Sequence, residues 1–279
     1  MDAAAGRDNG RVVRIDDARD PRLDDYRDLR DSALRRERGL FVAEGRLLVE
    51  RLLPAPRFRT RSVLATPDAF GALAPLLDQA GAVAYVTAHE VIRDVVGFKF
   101  HRGVLALGER GEERALDALM SPAGRQTMLV IEDVRDPENV GGLFRNASAF
   151  GVDGVLLGPG SADALGRKAL RVSAGAALAV PFAHATAWHE DLAQLRARGF
   201  TVVALTPDRS ARDIAEVAAR RSERLALLVG SEGDGLSAAA RGLASVEARI
   251  PIAAGVDSLN VAVAAGIALD RLRRPRLQD

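Results

Sequence analysis

Residues 250–271, Ile-Pro-Ile-Ala-Ala-Gly-Val-Asp-Ser-Leu-Asn-Val-Ala-Val-Ala-Ala-Gly-Ile-Ala-Leu-Asp-Arg, limit what this chain can become more than any other stretch. The second half has the composition of a helix with almost no polar face, and such a helix must be covered on most of its sides. Its expected start is at Asp257 and Ser258, both good N-cap types. Ser258 and Asn260 then lie beside the backbone N–H groups that a first helical turn leaves unpaired. A covered helix with a polar mouth can form one wall of a site, provided the rest of the chain supplies a layered core.

The preceding residues have the pattern for that core. Runs at 128–131, 155–157, 200–205, 225–229 and 248–252 are apolar with little alternation, as expected of strands buried on both faces. Helical patterns fall between them near 140–150, 165–172, 188–198 and 214–220. This alternation predicts an α/β fold with a doubly wound, mostly parallel sheet over 127–279, and ligands then bind outside the carboxyl ends of the strands. A smaller α/β domain is expected over 21–107, with strands at 40–42, 62–65, 83–86 and 104–107 and helices at 46–53, 68–79 and 89–96. Residues 24–38 read as a further, arginine-laced helix, 1–20 as a mobile arm and 108–126 as a linker.

Composition excludes some chemistry. The 279 residues contain no cysteine, which removes disulfides, thiolate catalysis and cysteine-held metals and suits a reducing cytoplasm. The four histidines make no zinc spacing, so no metal is expected. There is no signal-peptide pattern and no apolar run fit to span a bilayer, which predicts a cytoplasmic protein without a membrane partner. A net charge of +1 argues neither for nor against a polyanionic partner.

Three strand ends are unusual. Glu132-Asp133-Val134-Arg135-Asp136-Pro137-Glu138-Asn139-Val140-Gly141-Gly142 precedes a helix carrying Arg145; Gly230-Ser231-Glu232-Gly233-Asp234-Gly235-Leu236 follows the 225–229 run; residues 250–260 follow the last strand. Glycine-rich strand-to-helix loops suggest a nucleotide, yet neither G-x-G-x-x-G nor G-x-x-x-x-G-K-[ST] occurs. Glu232 and Asp234 also place negative charge where a phosphate would sit, which favours a neutral or cationic adenosine-type ligand.

Asn139-Val140-Gly141 with Arg145, Gly230-Ser231-Glu232-Gly233 with Gly235-Leu236, and Ile250-Pro251 followed by Ser258-Leu259-Asn260-Val261 resemble the three motifs of the SpoU (TrmH) family of RNA ribose 2'-O-methyltransferases. The likeness covers roughly residues 127–272, with further matching patches at 41–45, 97–103 and 171–176. Within the family it is nearest to the actinobacterial rRNA methyltransferases of the thiostrepton-resistance type. The resemblance implies a catalytic domain ending in a deep trefoil knot, S-adenosylmethionine as cofactor, a homodimer, and an N-terminal domain that binds RNA, ribosomal RNA first and tRNA second. Carried over by position, Gly230, Ile250 and Leu259 contact the cofactor and Thr206 lies at the same cleft. Glu232 and Ser258 line it, while Asn139, Arg145 and Asn260 face the substrate.

Arg145 is expected to place a fixed positive charge beside a developing alkoxide or a phosphate; a guanidinium keeps its proton and is no base. Its competing role is an ion pair with Glu132 or Asp136, that of Glu232 a loop carboxylate, and that of Ser258 a helix cap. Arg35, Arg36, Arg38, Arg59 and Arg61 are candidate phosphate contacts, with His101 and Arg102 as further RNA contacts. Two other functions compete: a non-catalytic RNA-binding or ribosome-assembly protein on the same scaffold, and a nucleotide-binding oxidoreductase, which the missing fingerprint disfavours.

Overall fold

The computed structural model describes residues 11–27, 29, 34–97, 100–220 and 222–273, apart from the side chains of Arg35 and Arg36. The chain divides into two compact units, Met1–Glu112 with Leu165–Arg167, and Glu113–Ala164 with Lys168–Asp279.

The first unit is built on a mixed five-stranded sheet of β1 (Val12–Arg14), β2 (Leu40–Glu44), β3 (Thr60–Ala65), β4 (Val83–Val86) and β5 (Val104–Glu109), in the order β1-β4-β3-β5-β2. Strands β1, β4 and β3 are parallel, and β5 runs antiparallel to β3 and β2. Three helices connect them: α1 (Arg46–Leu52), α2 (Pro67–Ala80) and α3 (His89–Val96). Helix α2 begins where Thr66 Oγ1 accepts the Ala69 N–H and ends at Gly81, whose left-handed backbone (φ +62) suits a residue without Cβ. Leu23, Tyr26, Leu64, Ile92, Phe100 and Leu105 belong to one buried cluster.

Two expectations for this unit are corrected. Residues 12–14 are not part of a mobile arm but an edge strand, since Val12 and Val13 meet the open side of β4 opposite Ala84 and Tyr85. Residues 24–38 do not form one helix. Instead there is a 3₁₀ turn, Pro21–Tyr26, and a five-residue π turn, Leu34–Arg38. Leu23 and Tyr26 are both buried and three residues apart, the spacing of a 3₁₀ turn, and the Tyr26 hydroxyl is anchored 2.8 Å from Ser62 Oγ. The first part of the expected arm and residues 274–279 lie outside the described residues, as do Phe98 and Lys99 in the 97–103 patch.

The second unit has a fully parallel sheet of seven strands: β6 (Gln126–Ile131), β7 (Gly154–Leu157), β8 (Phe182–His184), β9 (Thr201–Leu205), β10 (Arg212–Asp213), β11 (Arg224–Val229) and β12 (Val246–Arg249). The order β10-β12-β9-β11-β6-β7-β8 runs outward in both directions from β6, as in a doubly wound sheet. Its helices are α4 (Pro137–Ala149), α5 (Arg167–Val172), α6 (Ala176–Ala179), α7 (Trp188–Ala197), α8 (Ile214–Ala219), α9 (Ala238–Gly242) and α10 (Val261–Leu272). Strands β8 and β10 and the short helices α6 and α9 were not expected from the sequence.

The helix that constrains the chain differs from expectation in three ways. It starts later, with Asn260 rather than Asp257 or Ser258 as its N-cap. It buries one stripe, Val261, Ala265, Ala268, Leu269 and Leu272, while Val263 (52 %) and Ile267 (36 %) stay exposed. The strand before it ends at Arg249, leaving Ile250 and Pro251 free of the ladder, in which proline could not donate.

Glycines 141 and 142 lie within α4. A Cβ on Gly141 would lie 2.7 Å from the Ala169 carbonyl oxygen, and one on Gly142 would lie 2.8 Å from Ala262 Cβ. Both glycines therefore allow α4 to pack closely on α5 and α10. Among the described residues no helix is long and apolar enough to cross a membrane.

Candidate active site

The carboxyl ends of β9 and β11 and the chain after β12 enclose a cleft of about 640 Å³. Leu205 ends β9 and Thr206 follows it, residues 229–236 come from the end of β11, and Ile250, Ile252, Asp257, Ser258 and Leu259 from the segment leading into α10. The β11 loop folds back on itself through a bridge between Ser231 and Gly235. A Cβ on Gly230 would fall 2.4 Å from the Gly235 carbonyl oxygen, so this wall admits only bare backbone.

The lining combines apolar side chains (Leu205, Val229, Ile250, Ile252, Leu259) with the carboxylates of Asp208, Glu232, Asp234 and Asp257. That chemistry suits a flat heterocycle carrying a positive charge and is poor for phosphate. Arg241 also lines the cleft, but its guanidinium is held by Glu247 through two 2.7 Å hydrogen bonds and by Asp208 at 3.3 Å. The Arg241 hydrogen bonds hold the Glu247 carboxyl below its ordinary range. Asp208 is lowered too, first by the Ser210 N–H and hydroxyl and then by Arg241.

At the edge of the cleft one amide joins three parts of the chain. Asn260 Nδ2 donates to Asn139 Oδ1 on α4 (2.8 Å) and to Glu232 Oε1 in the β11 loop (2.5 Å). Its Oδ1 accepts the N–H groups of Ala262 (3.0 Å) and Val263 (3.2 Å) and so caps α10. With the oxygen committed to the helix, the NH₂ group must face the other two residues. Glu232 Oε1 also accepts the Val261 N–H at 3.4 Å.

Thr206, Gly230, Ile250 and Leu259, together with Glu232 and Ser258, therefore share one cleft, and Asn139 and Asn260 reach it through hydrogen bonds. Ser258 is lining and not a cap. Arg145 is brought only to the neighbourhood: it is exposed on the same helix as Asn139 and does not line the cleft. It is not paired with Glu132 or Asp136 either. Glu132 accepts from Trp188 and Ser237, and Asp136 caps α4 through the Glu138 N–H. Sequence reasoning missed Glu132, Ser237 and Arg241. The signal for Glu132 was a carboxylate directly after a buried strand.

The candidate RNA contacts do not form one patch. Arg38, Arg59 and Arg61 stand where β2 and β3 begin, whereas His101 and Arg102 precede β5 at the end where β2 and β3 finish. Strands of this length are roughly 17–20 Å long. At the first end the arginines are already engaged, Arg38 with the carbonyls of Asp25 and Arg27, Arg59 with Glu109 at 3.6 Å, and Arg61 with Asp25 at 2.7 Å. At the other, His101 is exposed and Arg102 has only a distant contact, 3.9 Å from Glu44. The side chains of Arg35 and Arg36 lie outside the described residues. Among the described residues no group of three or more His, Asp and Glu side chains could hold a metal ion.

Comparison with known proteins bears on the same segments. Residues 126–270 match the SpoU rRNA Methylase family. An uncharacterized tRNA/rRNA methyltransferase of Mycobacterium tuberculosis is 44% identical over 91% of this chain and 90% of its own length. A 23S rRNA (guanosine-2'-O-)-methyltransferase of Bordetella pertussis is 32% identical over 71% of this chain and 81% of its own. Among solved structures, the AdoMet-bound rRNA methyltransferase from Sinorhizobium meliloti superposes with a TM-score of 0.80 at 27% identity, covering 96% of this chain and 100% of that one.

Proposed function

The chain belongs to the SpoU rRNA methylase family and is an S-adenosylmethionine-dependent RNA 2'-O-ribose methyltransferase, and we propose that ribosomal RNA is its substrate and that the cleft residues divide the work as follows. The observation that supports this assignment best is the Asn139–Asn260–Glu232 contact, which joins the three motif segments at one cleft edge.

The cleft fits the cofactor. Its volume lies within the ordinary range for small-molecule sites, about 300–1,000 Å³. Gly230 offers bare backbone, Leu205, Ile250 and Leu259 offer apolar walls for an adenine, and Glu232, Asp234 and Asp257 offer negative charge to a sulfonium. Bound there, S-adenosylmethionine supplies an activated methyl group.

A ribose hydroxyl is a weak nucleophile, so the protein has to hold it in line and lower the cost of charge developing as its proton leaves. Arg145 carries that second role: an exposed guanidinium on the helix that bears Asn139 can meet the ribose oxygen or the adjoining phosphate. Asn139 and Asn260 fix the cleft edge against which the ribose is presented. Glu232 keeps that edge joined to the β11 loop, and Ser258 contributes a hydroxyl to the lining.

The N-terminal unit binds the RNA, chiefly at the end carrying His101 and Arg102, where the cations are least engaged. Likeness to the actinobacterial rRNA methyltransferases of the thiostrepton-resistance type belongs to this proposal. So does the homodimer, for which Val263 and Ile267, exposed and four residues apart on α10, supply an apolar stripe. Tritium transfer from labelled S-adenosylmethionine to separate rRNA and tRNA pools tests the substrate. Label in rRNA is expected, and label in tRNA alone refutes the assignment.

A further inference from the structure

We propose that Glu132, which does not line the cleft, is a positioning residue that sets the shape of the cofactor loop 230–236 and thereby the affinity for S-adenosylmethionine; this rests on the cleft being the cofactor site. Glu132 directly follows β6 and is only 6 % exposed. Its Oε1 accepts from Trp188 Nε1 and from Ser237 Oγ, and its Oε2 from the Ser237 backbone N–H, each at 2.8 Å. Its own N–H donates to the Val229 carbonyl at 2.9 Å, one residue before the loop begins.

One residue thus holds both ends of a seven-residue glycine-rich turn. The far end is held firmly. Ser237 follows cleft-lining Leu236, and its Oγ, donating to Glu132, also accepts the Ala240 N–H at 3.1 Å to cap α9. Helix α9 in turn presents Arg241 to the cleft. On its other side Glu132 is backed by Trp188, whose ring lies against Gly158, where a Cβ would come within 2.7 Å of it. A buried carboxylate with three donors is a stiff anchor, because losing any donor leaves charge without compensation. The tip of loop 230–236 is loosely surrounded, since Gly233 and Gly235 have open space where a Cβ would be.

Glu132→Gln is the decisive variant. It preserves volume but sets an NH₂ group against the Ser237 N–H or hydroxyl. We expect its Kd for S-adenosylmethionine, measured by calorimetry, to rise about tenfold, equivalent to about 1.4 kcal/mol. The kcat at saturating cofactor should stay within about threefold of wild type, which separates positioning from chemistry. Trp188 is the only tryptophan, so its emission reports any change at its Glu132 partner and should shift in the variant. Ser237→Ala, which keeps the backbone bond, should weaken binding by a smaller factor, about threefold on the same scale, and serves as the test if Glu132→Gln does not fold. A folded Glu132→Gln protein with lower thermal stability but wild-type Kd overturns the inference, as does an unchanged Kd in Ser237→Ala. A wild-type protein that binds no S-adenosylmethionine overturns the cofactor reading and this inference with it.

Discussion

Asn260 performs two tasks through opposite ends of one amide, and substitution can separate them. Asn260→Ala removes both. Loss of an N-cap costs about 1 kcal/mol. Asn139, only 8 % exposed, is left with an unpaired Oδ1, which adds about 1–3 kcal/mol. The total is about 2–4 kcal/mol, large against the marginal stability of a domain. Asn260→Asp behaves differently. Its oxygen still caps Ala262 and Val263, and a carboxylate is favoured at a helix N-terminus. The second oxygen, however, faces Glu232 Oε1 where the amide stood 2.5 Å away, so two acceptors repel across the cleft edge. Asn139 can turn its own amide so that its Nδ2 donates to the new oxygen, and because Glu232 is exposed, solvent screens the repulsion, so the stability loss should stay below about 1 kcal/mol. Methyl transfer should nonetheless fall by two orders of magnitude or more, on the order of what one misplaced positioning group costs. Urea unfolding followed on Trp188 reports the unit that contains the site, and tritium transfer reports activity. Wild-type transfer by Asn260→Asp, or a loss under about 0.5 kcal/mol in Asn260→Ala, would refute this division of labour.

Arg145→Ala should abolish transfer while S-adenosylmethionine binding by calorimetry stays within a few-fold of wild type; a variant that keeps its activity removes Arg145 from the mechanism. Gly230→Ala should open the β11 loop, since its Cβ would sit 2.4 Å from the Gly235 carbonyl oxygen, and cofactor binding should become undetectable even if the protein folds. Glu247 has a folded pKa lowered by Arg241, so its contribution to stability is present above the ordinary glutamate value of 4.5 and is lost as pH falls through the folded value. Glu247→Gln should therefore be less stable than wild type at about pH 6, with the gap narrowing in urea titrations as pH falls below the ordinary glutamate value; a constant gap would contradict the pairing. Val263→Glu with Ile267→Glu should convert a dimer to monomer in light scattering, and a protein whose mass is unchanged does not use this face.

What local pattern reports is burial, and buried segments were legible. The apolar runs of β6, β7, β9 and β11 marked the parallel sheet, and the α/β alternation marked two domains. Motif resemblance then pointed to Gly230, Ile250 and Leu259, and the end of the 200–205 run to Thr206, and all four line one cleft. Local pattern misjudged the places where a distant segment decides the outcome. The cap of α10 went to Asn260 because its amide also reaches Asn139, 121 positions away. Glycines 141 and 142 proved to be packing contacts because α5 and α10 come within a methyl group of α4. Nothing in the sequence placed the arginines of the N-terminal unit relative to one another; strand direction puts Arg59 and Arg61 at the opposite end of the sheet from Arg102. Glu132 looked like a partner for Arg145, yet its three donors come from Trp188 and from Ser237, 105 positions along. The sequence by itself determined which segments are covered and which motifs the chain carries, because those depend on near neighbours. Only the tertiary structure decided which donor meets which acceptor, because strand order, and not spacing along the chain, brings those atoms within 3 Å.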